Sequence, residues 1–67
     1  MNLKDPHVAL GIEHGMAGTP RERRWTDPEL QRRYDWGYLY ARREVSLDRP
    51  MTFEELDRLM THLGYNR

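Results

Sequence analysis

The sequence predicts a small all-α domain in which two helices, joined by a polar linker, are followed by a third, amphipathic helix. Apolar residues recur at helical spacing in three separate stretches, and no stretch of the sequence shows the alternation typical of a strand. A residue suited to cap a helix N-terminus precedes each stretch. Five of the seven aromatic residues fall within residues 25–44, so we expect the middle helix to form the centre of the core. One domain over residues 1–67 is predicted, with the helix pair at 5–45 and the additional helix at 51–64.

The first helix is predicted near residues 6 to 17. Asp5 is suited to the N-cap, Pro6 to the first helical position and Gly18 to the end of the helix, and residues 1–4 are expected to be loose. Each glycine inside the helix costs about 1 kcal/mol relative to alanine, so we expect the notch that they form to receive a large ring. One stripe carries the small residues: Val8, Gly11, Ile12 and Gly15. The candidate rings are those of Tyr34, Tyr38 and Trp36.

The middle helix is predicted near residues 27 to 44. Thr26 can serve as its N-cap with Glu29 as the capping-box partner, and Trp25 can then pack on Leu30 as a hydrophobic staple. Pro28 falls in the first turn, where a missing N–H costs nothing. The apolar surface of this helix is too wide for one neighbour, so we expect contacts from two directions.

The remaining segments are a polar linker and a third helix. Residues 18–24 contain a glycine, a proline and four consecutive charges, so we expect the linker to bury nothing. Thr52 and Glu55 form a second capping box, and Gly64 is suited to end the helix that follows, which is predicted near residues 52 to 63. The apolar stripe of that helix consists of Phe53, Leu56, Leu59, Met60 and Leu63.

Composition excludes several classes of protein. Eleven basic and eleven acidic residues give a net charge of zero, and the absence of cysteine excludes disulfides and thiolate metal sites. No apolar run approaches the roughly 20 residues that span a bilayer, and no leader-like segment is present, so we expect a cytoplasmic protein of a bacterium or its virus. Because a chain of 67 residues builds only a marginal core, a homodimer is also expected.

Small and aromatic residues occur in a defined order between residues 7 and 44: Gly11, Gly15, Ala17 and Gly18, then Trp25 after the polar linker, then Tyr34, Gly37, Tyr38 and Ala41. This order resembles that of ribosome modulation factor and its small relatives on phages and mobile elements. The resemblance implies a glycine-bearing helix and an aromatic-rich helix on either side of a linker. It also implies a non-enzymatic protein, with no cofactor, that binds the small ribosomal subunit and its rRNA, promotes ribosome hibernation and down-regulates translation.

Arginines are concentrated in the middle of the chain, where the sequence predicts an RNA contact. Arginine neutralises phosphates and stacks on bases, and a neighbouring tryptophan adds a stacking surface. The candidate nucleic-acid-binding residues are Arg21, Arg23, Arg24, Trp25, Arg32 and Arg33. The alternative is a solvated surface, in which these arginines are balanced by Glu22, Asp27, Glu29, Asp35 and Glu44.

A second set of residues is predicted to bind a partner protein. The rings of the middle helix exceed what one notched helix and one stripe of leucine and methionine can cover, and large exposed apolar groups usually mark interaction sites. We therefore assign Trp36, Tyr40 and Arg43 to such a contact; the alternative is that the two rings lie in the core. Under this hypothesis the chain is a phage- or mobile-element-encoded protein that inhibits or redirects a host protein. Neutral charge and the third helix favour it.

Enzymatic and metal-binding functions are disfavoured. His7 and His14 share a face of the first helix, but a metal site needs further convergent ligands, so packing or surface roles are expected for both. No arrangement of nucleophile, base or paired carboxylates predicts a catalytic site, which counts against a small enzyme that modifies a drug or nucleotide.

Overall fold

The computed structural model describes residues 3–65 and contains three helices: α1 (Pro6–Ala17), α2 (Pro28–Ala41) and α3 (Phe53–His62). Between residues 3 and 65 there is no strand. The all-α prediction is therefore confirmed, and α2 ends three residues earlier than expected. Residues 1, 2, 66 and 67 lie outside the described residues. The prediction that residues 1 and 2 are loose, and the ends of the predicted single domain, therefore fall outside them as well.

The caps of α1 and α3 agree with the sequence. The side chain of Asp5 accepts hydrogen bonds from the backbone N–H groups of His7 and Val8, and Gly18 ends α1 with a φ of 74°. Thr52 and Glu55 form the complete capping box at the start of α3.

The N-cap of α2 differs from the prediction. Asp27, rather than Thr26, accepts the N–H of Glu29, at 2.9 Å. The reason is Pro28 at the first helical position, because a residue that precedes proline is driven out of the helical region and into an extended conformation. The capping box predicted for Thr26 and Glu29 is therefore wrong.

Helices α1 and α2 lie side by side and run in the same direction. Gly11 faces the backbone of Tyr34 and Tyr38, whereas Gly15 faces Tyr38 and Ala41, so the contacts advance along both helices together. A Cβ atom on Gly11 would lie 2.1 Å from the carbonyl oxygen of Tyr34. The notch on α1 thus receives the backbone of α2, and the prediction that it receives an aromatic ring is wrong.

Helix α2 contributes small residues of its own to this contact. Gly37 faces the backbone of Val8, and a Cβ atom there would lie 2.3 Å from the Val8 carbonyl oxygen. Gly37 and Ala41 repeat on α2 the four-residue spacing of Gly11 and Gly15 on α1. Small residues at this spacing on both partners let two helix backbones approach closely.

The core lies on the other sides of α2, which contacts both α1 and α3, while α1 and α3 do not pack on each other. The prediction that the middle helix is contacted from two directions is therefore confirmed. Six buried apolar residues form the main cluster of the core: Tyr34, Trp36, Tyr38, Leu39, Leu56 and Met60. Within residues 3–65 the structure contains no helix that is long and apolar enough to cross a membrane.

Helix α2 ends at Ala41 because the chain turns sharply after it. Arg43 adopts the left-handed conformation with a φ of 61°, and the N–H of Glu44 donates to the carbonyl of Leu39 at 2.9 Å. This arrangement satisfies the last carbonyl groups of the helix and directs the chain towards α3.

Candidate functional site

The predicted linker is an ordered segment that runs back along α2. Two parallel helices require this path, because the chain must return from the end of α1 to the start of α2. The hydroxyl of Tyr38 donates to the carbonyl of Thr19 at 2.6 Å, and the hydroxyl of Tyr34 accepts the N–H of Glu22 at 3.1 Å. We call residues 19–25 the strap.

The strap is attached to α2 by a buried ion pair. Arg21 donates from Nε to Oδ1 of Asp35 at 2.8 Å and from Nη2 to Oδ2 at 2.5 Å, and neither side chain is exposed to solvent. Gln31 joins the pair to the strap backbone, since its Nε2 donates to the carbonyl of Glu22 and to Asp35 Oδ1. The expectation that the linker buries nothing is wrong. Arg21 is likewise unavailable to a nucleic acid, because its guanidinium lies inside the protein.

Side chains along the strap alternate between its two edges, as expected of an extended segment. Arg21 and Arg23 lie on the edge next to α3, where Oδ1 of Asp57 is 3.5 Å and 3.7 Å from their respective Nη2 atoms. Glu22 and Arg24 lie on the other edge, where Oε1 of Glu22 is 3.9 Å from Nδ1 of His14 on α1. The strap therefore connects all three helices.

Arg23 and Arg24 are the predicted RNA-binding arginines that remain accessible. Their side chains are 57% and 56% exposed, respectively. The guanidinium of Arg24 lies over the ring of Trp25 at 4.7 Å from the ring centroid. The half-buried Trp25 ring also contacts the rings of His7 and Tyr34. A nucleic-acid base would consequently stack on the guanidinium of Arg24, with Trp25 supporting it from beneath.

Arg32 and Arg33 are engaged with carboxylates of the protein itself. Arg32 makes two hydrogen bonds to Glu29 and a third to the carbonyl of Met51, while Arg33 contacts Glu29 at 3.2 Å and Asp5 at 3.1 Å. Hydrogen bonds from Arg32, opposed by partial burial and reinforced by Arg33, lower the pKa of Glu29 to about 2. These two arginines tie α2 to its neighbours, and because their side chains are less exposed than those of Arg23 and Arg24, they offer a phosphate less.

Two tyrosine hydroxyls fix the strap from α2. Burial raises the pKa of Tyr34 and of Tyr38 above the ordinary value, so both hydroxyls stay protonated at neutral pH. The hydroxyl of Tyr34 also lies 2.7 Å from Nδ1 of His14 and thereby links the strap, α1 and α2.

The predicted partner-binding residues fall in different environments. Trp36 is only 3% exposed, and its Nε1 donates to the carbonyl of Ser46 at 3.1 Å, so the expectation that this ring anchors a partner is wrong. Its place in the core follows from α3, which covers that side of α2. Tyr40 is 40% exposed and Arg43 is exposed, so both are available to a partner.

Arg43 borders a shallow cleft of about 420 Å³ at the C-terminal ends of α1 and α2. Arg42 lines the same cleft and donates to the hydroxyl of Tyr65 at 3.1 Å. The negative ends of two helix dipoles meet here, and Glu44 adds a full negative charge. The two arginines therefore offset local negative charge, and the cleft does not attract an anion strongly.

The two histidines of α1 have separate packing partners, His7 against Trp25 and His14 against Tyr34. Among residues 3–65, no group of three or more histidine, aspartate or glutamate side chains is arranged to hold a metal ion.

The residues that order the strap are not among those predicted from the sequence. Asp35 and Gln31 stand four residues apart on α2, and both lie on the side that carries Tyr34 and Tyr38. A charged residue placed among core aromatics signals a buried partner, because an unpaired buried charge is very costly. That signal was present in the sequence, but the identity of Arg21 as the partner depends on the parallel arrangement of the helices.

Comparisons of this chain with family models, with curated proteins and with solved structures find no match.

Proposed function

We propose that this chain is a small, non-enzymatic RNA-binding protein that acts in the cytoplasm on the small ribosomal subunit and lowers translation. The strap is the contact surface, with Arg23 and Arg24 neutralising phosphates and Trp25 supporting Arg24 beneath a base. The resemblance to ribosome modulation factor supports the choice of the small ribosomal subunit as the partner. The exposed side chains of the strap support its choice as the contact surface.

The single observation that carries the proposal is the display of Arg23 and Arg24 on a segment whose backbone is already fixed. Each side chain is more than half exposed, and the two lie on opposite edges of the strap. A fixed segment loses little conformational entropy on binding, so two arginines can contribute more than they would on a loose tail. Arginine paired with tryptophan also suits the unpaired bases of rRNA loops better than it suits a duplex.

Co-sedimentation with purified 30S particles over a series of salt concentrations tests this function. Binding should weaken steeply as salt rises, because each neutralised phosphate releases counterions. Replacing Arg23→Gln together with Arg24→Gln should weaken binding and reduce the slope of log K against log salt by about 1.4, at about 0.7 per single-strand contact.

The matched control replaces Arg49→Gln and Arg58→Gln, two exposed arginines outside the strap. This variant has the same net charge as the strap variant and should bind 30S particles as the wild type does. Equal loss in both variants would mean that total charge, rather than the strap, drives binding. Absence of wild-type binding at low salt would refute the function.

A protein partner is the second candidate, favoured by three exposed apolar side chains. Leu3 is 53% exposed, Met16 is 76% exposed and Tyr40 is 40% exposed. Under this alternative the chain is a phage- or mobile-element-encoded protein that inhibits or redirects a host protein, or forms a homodimer. A pull-down that recovers one stoichiometric protein without rRNA, and that fails with Tyr40→Ala, would favour it over the ribosome.

A further inference from the structure

We infer that Arg21, Asp35 and Gln31 are positioning residues for RNA binding: they hold the strap in the conformation in which Arg23 and Arg24 meet the ligand. This inference rests on the proposed function, and it assigns a role to a buried cluster that itself touches no RNA.

The geometry of the cluster supports this role. Arg21 and Asp35 pair through two hydrogen bonds with no solvent exposure, and Gln31 binds both Asp35 and the carbonyl of Glu22. Arg21 and Glu22 directly precede the two accessible arginines in the sequence. The cluster therefore fixes the strap backbone immediately before its contact residues.

Charge pairing inside the protein also separates the roles of the strap arginines. Arg21 points inward to Asp35, while Nη2 of Arg23, two residues later on the same edge, lies 3.7 Å from the half-buried Asp57. Nε of Arg24 lies 3.1 Å from Oε2 of Glu22. The carboxylates that face Arg23 and Arg24 remain accessible to solvent, so these two arginines can exchange them for a phosphate, whereas the charge of Arg21 is neutralised inside the protein.

The salt dependence of binding distinguishes a residue that positions the strap from one that contacts a phosphate directly. A residue that contacts phosphate changes the slope of log K against log salt, because it changes the number of counterions released. A residue that only orders the strap changes the affinity at every salt concentration and leaves the slope unchanged, because the same phosphates are still contacted once the strap is bound.

The test replaces the buried pair as a unit, Arg21→Met with Asp35→Leu, because removal of one partner alone would leave an unpaired buried charge. Apolar pairs of similar volume often replace buried ion pairs without loss of stability. Helicity and cooperative unfolding should persist in this variant. Its affinity for 30S particles should fall about tenfold at all salt concentrations, because the loose strap must be ordered on binding.

A second variant, Gln31→Met, removes the link to the carbonyl of Glu22 and decides the question should the double variant not fold. It should also weaken binding without changing the slope. Wild-type affinity in the folded variant would show that the cluster serves stability alone. A slope reduced by about 0.7 in the double variant would make Arg21 a phosphate contact and overturn the inference. Failure of the proposed function is seen separately, because the wild-type protein itself would then not bind 30S particles at low salt.

Discussion

Gly11 shows how one missing side chain sets the distance between two helices. A Cβ atom at this position would lie 2.1 Å from the carbonyl oxygen of Tyr34 and 2.8 Å from the amide nitrogen of Tyr38. Because both atoms belong to the backbone, no rotamer change can relieve the clash. We expect Gly11→Ala to cost about 1–3 kcal/mol or more, despite the better helix propensity of alanine. Urea denaturation measures the loss, with Glu13→Ala on the exposed face of α1 as a control that should change little.

Trp36 and Tyr40 lie on the same helix, but one ring is buried and the other is exposed, so their removal should affect stability differently. Trp36→Ala removes a ring that is 3% exposed and should lower the free energy of unfolding by about 3–5 kcal/mol. A loss of this size is enough to leave most molecules of such a small domain unfolded. Tyr40→Ala should leave thermal unfolding close to that of the wild type, because its ring is 40% exposed. Circular dichroism of both variants measures the difference, and a fully folded Trp36→Ala protein would show that the ring is not part of the core.

At the scale of a helix, the start of α2 depends on Asp27. We expect Asp27→Ala to destabilise the protein by about 1 kcal/mol, because the N–H of Glu29 loses its acceptor. Thr26→Ala should have almost no effect, since Thr26 lies outside the cap. Thermal unfolding of the two variants distinguishes them. A larger loss of stability with Thr26→Ala would show that Thr26 is the cap, as the sequence predicts.

The helices themselves could be predicted from the sequence because their signals are local. Asp5, Pro6, Gly18 and the Thr52 capping box each act within a few residues. The strap could not be predicted, because its order comes from hydrogen bonds to residues 9 to 19 positions away. Its composition is that of a solvated loop, and only the parallel arrangement of α1 and α2 brings it against the tyrosines. The burial of Trp36 was missed for a similar reason, since it depends on where α3 packs.

For the whole molecule, stability should fall in acid. Hydrogen bonds from Arg32 lower the pKa of Glu29 from 4.5 to about 2. Although partial burial acts the other way, hydrogen bonds from the amides of Val8 and His7 hold the pKa of Asp5 below its usual value. Both carboxylates are thus more acidic in the folded state than in the unfolded one.

The stabilisation that these carboxylates provide is complete above the unfolded pKa, near 4.5 for Glu29, and is lost as the pH falls towards about 2. The melting temperature should therefore decrease over that interval. The Glu29→Gln variant should show a shallower decrease, because glutamine does not titrate. An equally steep decrease in this variant would assign the acid sensitivity to other groups.

Amide hydrogen exchange at Glu22 tests most directly whether the strap is ordered on α2. The N–H of Glu22 donates to the hydroxyl of Tyr34 at 3.1 Å, so it should exchange far more slowly than an unstructured amide. Tyr34→Phe removes the acceptor and should accelerate exchange at Glu22 while the amides in the middle of α2 stay protected. Exchange at the unstructured rate in the wild-type protein would contradict the ordered strap, and with it the surface on which the proposed RNA contact depends.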